Sequence, residues 1–325
     1  MSLLCLALMS LAGALVPRVI VDTDMSMDCD DVGALCILNA LVDNGEAEIL
    51  AVVHNTGLFT GVGAISVINH YYGRDYIPIG AYKGPFAAKE PGVYVDDLVA
   101  SFPSPIKNYS QVPDAVEVYR RVLSDQPDRS VTIASIGFTT NLDALLRSPP
   151  DANSPLNGTE LVAAKVVQIA WMGGKYPSSG GQPEWNFSHD GIGSSTKFTV
   201  ENTPSLLRMF SGFEIGLEIM TGGILTNHSG IENPCRKAYI DHDGPGHNRP
   251  SWDPATTLYA VRGYEPFWKI ESAGYNNVSD TGDNTWIPGP ATHNQGYLVA
   301  AASPDYIAGV IDDLLLRRPK LSGKQ

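Results

Sequence analysis

The chain has 325 residues and a formal net charge of −13, a length that fits one large α/β domain or two ordinary ones. This acidity argues against a nucleic-acid polymer as a partner, because phosphate binding requires Lys and Arg in excess. Beyond residue 14 no segment is apolar enough to cross a bilayer, and no linker divides the chain, so we predict a single domain over residues 15–325.

Residues 1–14 predict a signal peptide. They form a short apolar stretch that ends in Ala12-Gly13-Ala14, a pattern typical of a cleavage site. Secretion is also favoured by five Asn-x-Ser/Thr sequons, at Asn108, Asn157, Asn186, Asn227 and Asn277. We therefore predict a secreted glycoprotein.

Three cysteines follow the predicted signal peptide: Cys29, Cys36 and Cys235. Three cysteines do not make a disulfide framework. Cys29 and Cys36 flank a predicted helix start, where both can be accommodated as ordinary core residues.

The first predicted strand, Val19–Val21, runs directly into an acidic cluster. Residues 22–31 hold five carboxylates, those of Asp22, Asp24, Asp28, Asp30 and Asp31. They cannot all stay ionised in a packed site without a compensating positive charge, because like charges raise one another's pKa. Oxygen ligands favour Ca²⁺ or Mg²⁺ over zinc, so the cluster predicts a divalent cation site. A turn followed by a helix N-terminus is the simpler alternative, but it leaves Asp22 and Asp24 unexplained.

Further apolar runs end in polar or glycine clusters and alternate with helical patterns. The predicted strands are Val19–Val21, Ile49–Val53, Val131–Ile136, Val166–Trp171 and Ile215–Met220. The predicted helices are Val32–Asn44, Gly63–Tyr72, Ala115–Asp125, Leu142–Arg147, Ala255–Arg262 and Pro304–Leu316. Residues 241–250 are predicted to form a loop, and residues 274–302 short strands and loops. This alternation predicts an α/β fold with a mostly parallel, Rossmann-like open sheet covered by helices on both faces. In such folds the ligand crevice lies at the carboxyl ends of the strands.

Five elements, in this order, resemble the inosine-uridine preferring nucleoside hydrolases. They are the Asp22-x-Asp24…Asp30-Asp31 cluster, His54-Asn55, Thr140-Asn141, Met172-Gly173-Gly174 with Glu184-Trp185-Asn186, and Asp253 before Pro254. The likeness extends to about residue 262. It implies the nucleoside hydrolase fold and a calcium-dependent enzyme that cleaves the N-glycosidic bond of ribonucleosides to give free base and ribose. The implied partner is a small nucleoside, and the family often forms dimers or tetramers.

The resemblance also assigns roles to individual residues. The Ca²⁺ ligands would be Asp24, Asp31, Asp253 and the Thr140 carbonyl oxygen. The ribose would be held by Asp30, Asn55, Glu184 and Asn186, so Asn186 is expected to carry no glycan. Asp24 and Asp30 would be catalytic, with Asp24 taking a proton from the attacking water. These assignments suit an oxocarbenium-like transition state, which requires nearby negative charge and a positioned water.

The chain departs from the family pattern at three positions. Asp28 lies in a two-residue insertion and adds a carboxylate, and Ser178 stands where family members often have an Asn near the 5′-hydroxyl. Trp252 stands where the pyrimidine-tolerant branch has a His that protonates the leaving base. The purine-specific branch has Trp there, so this residue favours purine nucleosides, with stacking worth roughly 1–3 kcal/mol. His247 is an alternative proton donor, and other base contacts are expected from loops at residues 82–102 and 241–252.

Two alternative functions compete with this interpretation. The first is a haloacid-dehalogenase-type phosphatase, which also opens with Asp-x-Asp on a first strand, although no persuasive phosphate-binding Lys follows. The second is a secreted, calcium-stabilised protein that binds ribose or another polyol without hydrolysing it, which the insertion at Asp28 and the change at Ser178 would favour.

Overall fold

The computed structural model describes residues 16–84, 92–204, 207–228 and 232–320. The predicted signal peptide, residues 1–14, lies outside these ranges. The strands are β1 (Arg18–Thr23), β2 (Glu48–His54), β3 (Ile79–Ala81), β4 (Val131–Ser135), β5 (Val166–Met172), β6 (Leu207–Ser211), β7 (Met220–Thr221), β8 (Arg249–Pro250), β9 (Trp268–Glu271), β10 (Gly274–Val278), β11 (Asn284–Pro288) and β12 (Gln295–Ala300).

The α-helices alternate with these strands through most of the chain. They are α1 (Asp30–Asp43), α2 (Gly61–Tyr71), α3 (Val95–Ser101), α4 (Ala115–Ser124), α5 (Thr140–Arg147), α6 (Gly158–Lys165), α7 (Trp185–Ser188), α8 (Gly193–Asn202), α9 (Phe213–Leu217), α10 (Gly223–Asn227), α11 (Pro234–Asp243), α12 (Trp252–Arg262) and α13 (Pro304–Leu315). None of the described helices is long and apolar enough to cross a membrane.

Eight strands form the central sheet, in the order β3-β2-β1-β4-β5-β6-β12-β9. Every neighbouring pair is parallel except β12 and β9, which are antiparallel. This architecture confirms the predicted mostly parallel α/β fold. Because β1 lies between β2 and β4, its carboxyl end opens near the middle of the sheet, where a crevice is expected.

Successive residues of β1 pack on opposite faces of the sheet, as strand geometry requires. Val19 and Val21 join the core formed with α1, α2, α12 and α13, whereas Ile20 joins the core formed with α4, α5 and α6. Both faces are therefore covered, which accounts for the continuous apolar runs seen in the sequence.

Four of the five predicted strands are confirmed, and the fifth is wrong. Residues predicted as the strand Ile215–Met220 form α9 and the two-residue β7, while β6 lies earlier in the chain. A short apolar run fits a buried helix as well as a strand, so its pattern alone could not decide between them. Residues 241–250 are only partly loop, because α11 continues to Asp243 and Arg249 begins β8.

A disulfide joins Cys36 of α1 to Cys235 of α11, with their Cα atoms 6.4 Å apart. Three cysteines predicted no disulfide framework, yet the structure pairs Cys36 with Cys235, and Cys36 is at the same time a buried core residue. Cys29 is free and buried. The covalent link matters for the site because α1 begins, and α11 ends, at the crevice described next.

Candidate active site

The acidic cluster gathers where β1 ends and α1 begins. Carboxylate oxygens of Asp28, Asp30, Asp31 and Asp253 all lie within 4.8 Å of one another. Asp253, at the start of α12, reaches the cluster from a distant part of the chain, and its backbone N–H donates to Asp30 Oδ2 at 3.1 Å. The structure thus brings together Asp30, Asp31 and Asp253, and it adds Asp28.

The cluster holds more buried negative charge than the neighbouring cations can neutralise. The pKa values of Asp30, Asp31 and Asp253 are raised well above the usual carboxyl range, first by burial and then by the neighbouring carboxylates. Arg249 is the cation that opposes this effect at Asp30, and its Nη2 donates to Asp28 Oδ2 at 3.0 Å. A divalent cation held by these oxygens would relieve the repulsion.

Asp24 lines the same cavity as the cluster, and its charge contributes to the raised pKa of Asp31 and Asp253. Its neighbour Thr23 points to the same side, since the Thr23 hydroxyl donates to Asp31 Oδ1. Glycine at position 137 is required here, because a Cβ there would lie 2.5 Å from the Asp24 backbone nitrogen. Asp24 therefore sits in a pocket with little space behind it.

Asp22 faces away from the cavity and organises the structure beneath it. Its Oδ1 accepts from the side-chain amides of Asn55 (2.8 Å) and Asn141 (2.9 Å), and its Oδ2 accepts from the Tyr119 hydroxyl at 2.9 Å. Burial raises the pKa of Asp22 to about 7 despite these three hydrogen bonds. The strand-end aspartate that the turn hypothesis left unexplained is thus a buried link between β1, β2, α4 and α5.

Two residues expected in the site lie behind this layer. Asn55 is fully buried, and its Oδ1 accepts from the Phe138 backbone N–H at 3.2 Å. Thr140 begins α5, and its hydroxyl donates to the Asn55 carbonyl oxygen at 3.0 Å. Neither residue is among the described residues that line the cavity. Their ribose and metal roles stay predictions.

Glu184, the N-cap of α7, and Asn186, within α7, also line the cavity. Glu184 caps this helix: its Oε1 accepts from the Asn186 backbone N–H at 3.0 Å and its Oε2 from the Gly174 N–H at 3.1 Å. Burial raises the pKa of Glu184 to about 7, and these hydrogen bonds and Lys175 oppose the rise. The Asn186 side-chain amide donates to the Met172 carbonyl oxygen at 3.2 Å, so both side chains are held in place.

Aromatic rings form another part of the wall. Trp252 stacks on Phe213 with ring centroids 5.3 Å apart, and its indole N–H donates to the Phe213 carbonyl oxygen at 2.7 Å. Trp185 is 47% exposed although it is large and apolar, and it faces the same cavity. The Trp252 ring is therefore fixed at the cavity surface, where it can stack on a planar ligand.

Sequence reasoning missed Phe213, His242, Arg249 and Lys175, which also line the cavity. Lys175 directly follows the Met172-Gly173-Gly174 motif and Phe213 precedes the predicted strand Ile215–Met220, but nothing in the sequence pattern identified either as a site residue. His242 and Arg249 belong to residues 241–252, the region expected to supply base contacts. Two other residues lie elsewhere. His247 is exposed and is not among the described cavity residues, and the Ser178 hydroxyl lies 3.1 Å from the Thr285 hydroxyl of β11.

The cavity has a volume of about 560 Å³, which suits a small molecule with one polar and one planar half. Its lining includes the acidic side chains of Asp24, Asp30, Asp31 and Asp253 and the aromatic side chains of Phe213 and Trp252. Such a site can hold a hard cation and a polyol beside a stacked ring, the components needed to cleave a sugar–base bond.

Comparisons with known proteins agree with this geometry. The family model described as inosine-uridine preferring nucleoside hydrolase matches residues 19–306. A search of curated protein sequences gave no match.

Several solved structures share the fold at low sequence identity. An inosine-uridine preferring nucleoside hydrolase from Bacillus anthracis matches with a TM-score of 0.67 and 18% identity, over 92% of this chain and 99% of the other. A plant nucleoside hydrolase matches with a TM-score of 0.65 and 17% identity, over 93% and 99%. A purine-preferring ribonucleoside hydrolase from Gardnerella vaginalis gives 0.65 and 15%, over 92% and 98%.

The match spans nearly the whole described chain and includes every motif that forms the cavity. This match does not favour the alternative hypotheses of a haloacid-dehalogenase-type phosphatase or a non-hydrolysing binding protein. The chain belongs to the inosine-uridine preferring nucleoside hydrolase family and is a hydrolase that acts on N-glycosyl bonds.

Proposed function

We propose that this hydrolase is calcium-dependent and favours purine ribonucleosides, releasing the free base and ribose. The observation that carries the proposal is the placement of buried carboxylates and the stacked Trp252–Phe213 pair around one cavity. The carboxylates suit a polyol and a cation, and the rings suit a base.

The donor chemistry supports Ca²⁺ as the resident ion. Asp24, Asp31, Asp253 and the Thr140 carbonyl would hold it, with Asp28 as a further carboxylate beside them. All of these donors are oxygen atoms, the ligand type that Ca²⁺ prefers. When bound, the ion would supply positive charge that orients the ribose diol and acidifies the attacking water.

The chain's own side chains would hold the sugar and move the proton. Asp30, Glu184 and Asn186 would accept or donate hydrogen bonds at the ribose hydroxyls, and Asp24 would accept the proton of the attacking water. Asn55 would support the sugar site from behind the cavity wall, through its hydrogen bonds to Asp22 and Phe138. As the bond breaks, positive charge develops on the ribose, and the surrounding carboxylates stabilise it electrostatically. Asp30 would act in this step as well as in binding.

Trp252 supports a purine preference. A base stacked on this indole would gain roughly 1–3 kcal/mol, and the gain increases with ring area. The structurally similar enzyme from Gardnerella vaginalis is described as purine-preferring. Arg249 lines the same cavity and would be available to the departing base.

Release of reducing ribose from inosine, adenosine, guanosine, uridine and cytidine tests the proposal. We expect the purines to be cleaved faster, and we expect a calcium chelator or Asp31→Asn to abolish turnover. Activity that survives the chelator and is not stimulated by restored Ca²⁺ would contradict the metal assignment. Equal rates on inosine and uridine would contradict the base preference.

We further propose that the protein is secreted and glycosylated and forms a homo-oligomer. The Cys36–Cys235 disulfide supports an oxidising compartment, and Asn227 and Asn277 are exposed sequons while Asn186 is buried. A glycosidase-sensitive mass in the culture medium would support secretion, whereas an unmodified protein retained in cells would contradict it. Light scattering of the purified protein would give its oligomeric state, and a monomer would contradict the proposed assembly.

A further inference from the structure

A second cluster of potential metal ligands lies beside the acidic one. Cys29, His242 and Asp243 each bring a ligand atom within 4.8 Å of the others. Cys29 Sγ lies 3.7 Å from Asp243 Oδ2, and His242 Nδ1 lies 3.0 Å from the same oxygen in a contact that lacks hydrogen-bond geometry. Ligands at 2.0–2.3 Å around a tetrahedral ion are separated by about 3.5 Å, so these spacings suit one shared cation.

The scaffold that holds this cluster is covalently fixed. Cys29 precedes α1 and lies seven positions before Cys36, while His242 lies seven positions after Cys235 in α11. Seven residues make about two helical turns. Because Cys36 is bonded to Cys235 and Cys29 lies near His242 and Asp243, the two helices run antiparallel with two contact points two turns apart. One contact is the disulfide, and the other is the Cys-His-Asp cluster.

The surroundings of Cys29 favour a cation. Asp28, Asp30 and Asp243 all place negative charge near its sulfur, and the opposing charge, Arg249, is paired with Asp28. The Tyr94 hydroxyl is fully buried, has no hydrogen-bond partner within the described residues, and lies close enough to interact electrostatically with Cys29. The Tyr94 ring also packs edge-on against His242, with centroids 6.5 Å apart.

We propose that Cys29, His242 and Asp243 form a second metal site, which binds a thiophilic divalent cation of the zinc class. A thiolate, an imidazole and a carboxylate are zinc ligands, whereas the neighbouring aspartates offer only oxygen. Three protein ligands leave a fourth position open. His242 lines the substrate cavity, so a cation can enter from there. Binding releases the Cys29 thiol proton to solvent and involves no change of oxidation state.

Occupancy of this site is independent of the proposed hydrolytic function. The carboxylate cluster can bind transition metals as well, so the test first saturates the full-length protein with Ca²⁺ and then titrates it with Co²⁺. Thiolate coordination gives a near-ultraviolet ligand-to-metal charge-transfer band that carboxylates do not produce. We expect this band to appear with one equivalent of Co²⁺ and to be displaced by Zn²⁺.

Two ligand variants and one matched control complete the test. Cys29→Ser should abolish the charge-transfer band. Both Cys29→Ser and His242→Ala should weaken Zn²⁺ binding, measured by isothermal titration calorimetry, by more than the 10–100-fold typical of losing an outer-shell partner. His247→Ala removes an exposed histidine of the neighbouring loop and should leave the band and the affinity unchanged.

Some outcomes would overturn the proposal. They are the absence of the band in the Ca²⁺-saturated wild-type protein, a band of undiminished intensity in Cys29→Ser, or equal Zn²⁺ affinity in His242→Ala and His247→Ala. Cys5 is common to all these proteins and so cannot account for a difference between them. If Cys29→Ser does not fold, as judged by circular dichroism, His242→Ala decides alone, because its partly exposed side chain can be removed with less effect on the core.

Discussion

Replacing Trp252 by alanine tests the base side of the cavity. The Trp252 ring stacks on Phe213 and is fixed by its hydrogen bond to the Phe213 carbonyl oxygen. Loss of a stacking partner removes roughly 1–3 kcal/mol per base, which corresponds to about 5- to 150-fold in kcat/KM. We expect that loss for inosine and a smaller one for uridine, whose single ring overlaps the indole less.

Trp252→Phe separates stacking from positioning. Phenylalanine keeps an aromatic face but loses the indole hydrogen bond, which contributes about 0.5–1.5 kcal/mol to stability. This variant should therefore melt at a lower temperature while retaining most of its preference for inosine. Initial rates of ribose release with both nucleosides give the ratio of the two kcat/KM values.

Trp185→Ala is the matched control. Trp185 is also an exposed aromatic residue of the cavity, but it stands between Glu184 and Asn186, on the side expected to hold ribose. Its loss should lower both rates by similar factors. An inosine-to-uridine ratio that is unchanged in Trp252→Ala, or that falls equally in Trp185→Ala, would refute the assignment of Trp252 to the base.

Three further predictions concern stability. Burial raises the folded-state pKa of Glu184 from its ordinary value of 4.5 to about 7, so its stabilising contribution is complete below pH 4.5 and is lost as the pH rises through 7. Relative to Glu184→Gln, the free energy of unfolding of the wild type, measured by urea denaturation, should fall by about 3 kcal/mol over this range; parallel pH profiles for the two proteins would contradict the shift. The Cys36–Cys235 disulfide spans 199 residues, so reductant should lower the free energy of unfolding by about 2–5 kcal/mol; a Cys36→Ala/Cys235→Ala protein that still responds to reductant would contradict this origin. At Gly158 a Cβ would lie 1.6 Å from a backbone oxygen of α5, whereas at Gly309, inside α13, it would meet nothing within 4 Å. Gly158→Ala should therefore strongly lower the melting temperature, while Gly309→Ala should raise the free energy of unfolding by up to about 1 kcal/mol. Similar melting temperatures for the two variants would refute the argument.

The sequence predicted those parts of the fold where local pattern and tertiary role coincide. Val19–Val21, buried on both faces, reads as a strand because all of its residues are apolar. β6 was missed because its run includes Arg208, a charged residue that is nonetheless buried. The Arg208 guanidinium donates to the carbonyl oxygens of Val200, Thr203 and His293, and these partners come together only after folding.

The same distinction holds for the site. The aspartates of residues 22–31 are adjacent in the chain, so their proximity could be predicted before the fold was known. Arg249 joins Asp28 across 221 positions, and the Cys36–Cys235 bond spans 199. Neither contact has a local signal, because α11 and β8 are placed beside α1 by packing of the whole domain. Asn55 was assigned correctly to the end of β2, but its hydrogen bonds to Asp22 and Phe138 could not be foreseen.

The hydrogen-bonded Asp22 has a consequence for how inactive variants should be interpreted. Asp22 and Thr23 are consecutive, yet the Asp22 side chain is hydrogen-bonded in the interior beneath the cavity, whereas the Thr23 hydroxyl donates to Asp31 within it. A random-mutagenesis screen for lost activity would return Asp22, Asn141 and Tyr119 together with the cavity carboxylates. Only the cavity carboxylates are expected to contact the ligand. A map of positions sensitive to mutation would therefore include buried residues that support the site without touching the substrate. Measuring folding and binding separately for each variant would restore the true boundary of the catalytic centre.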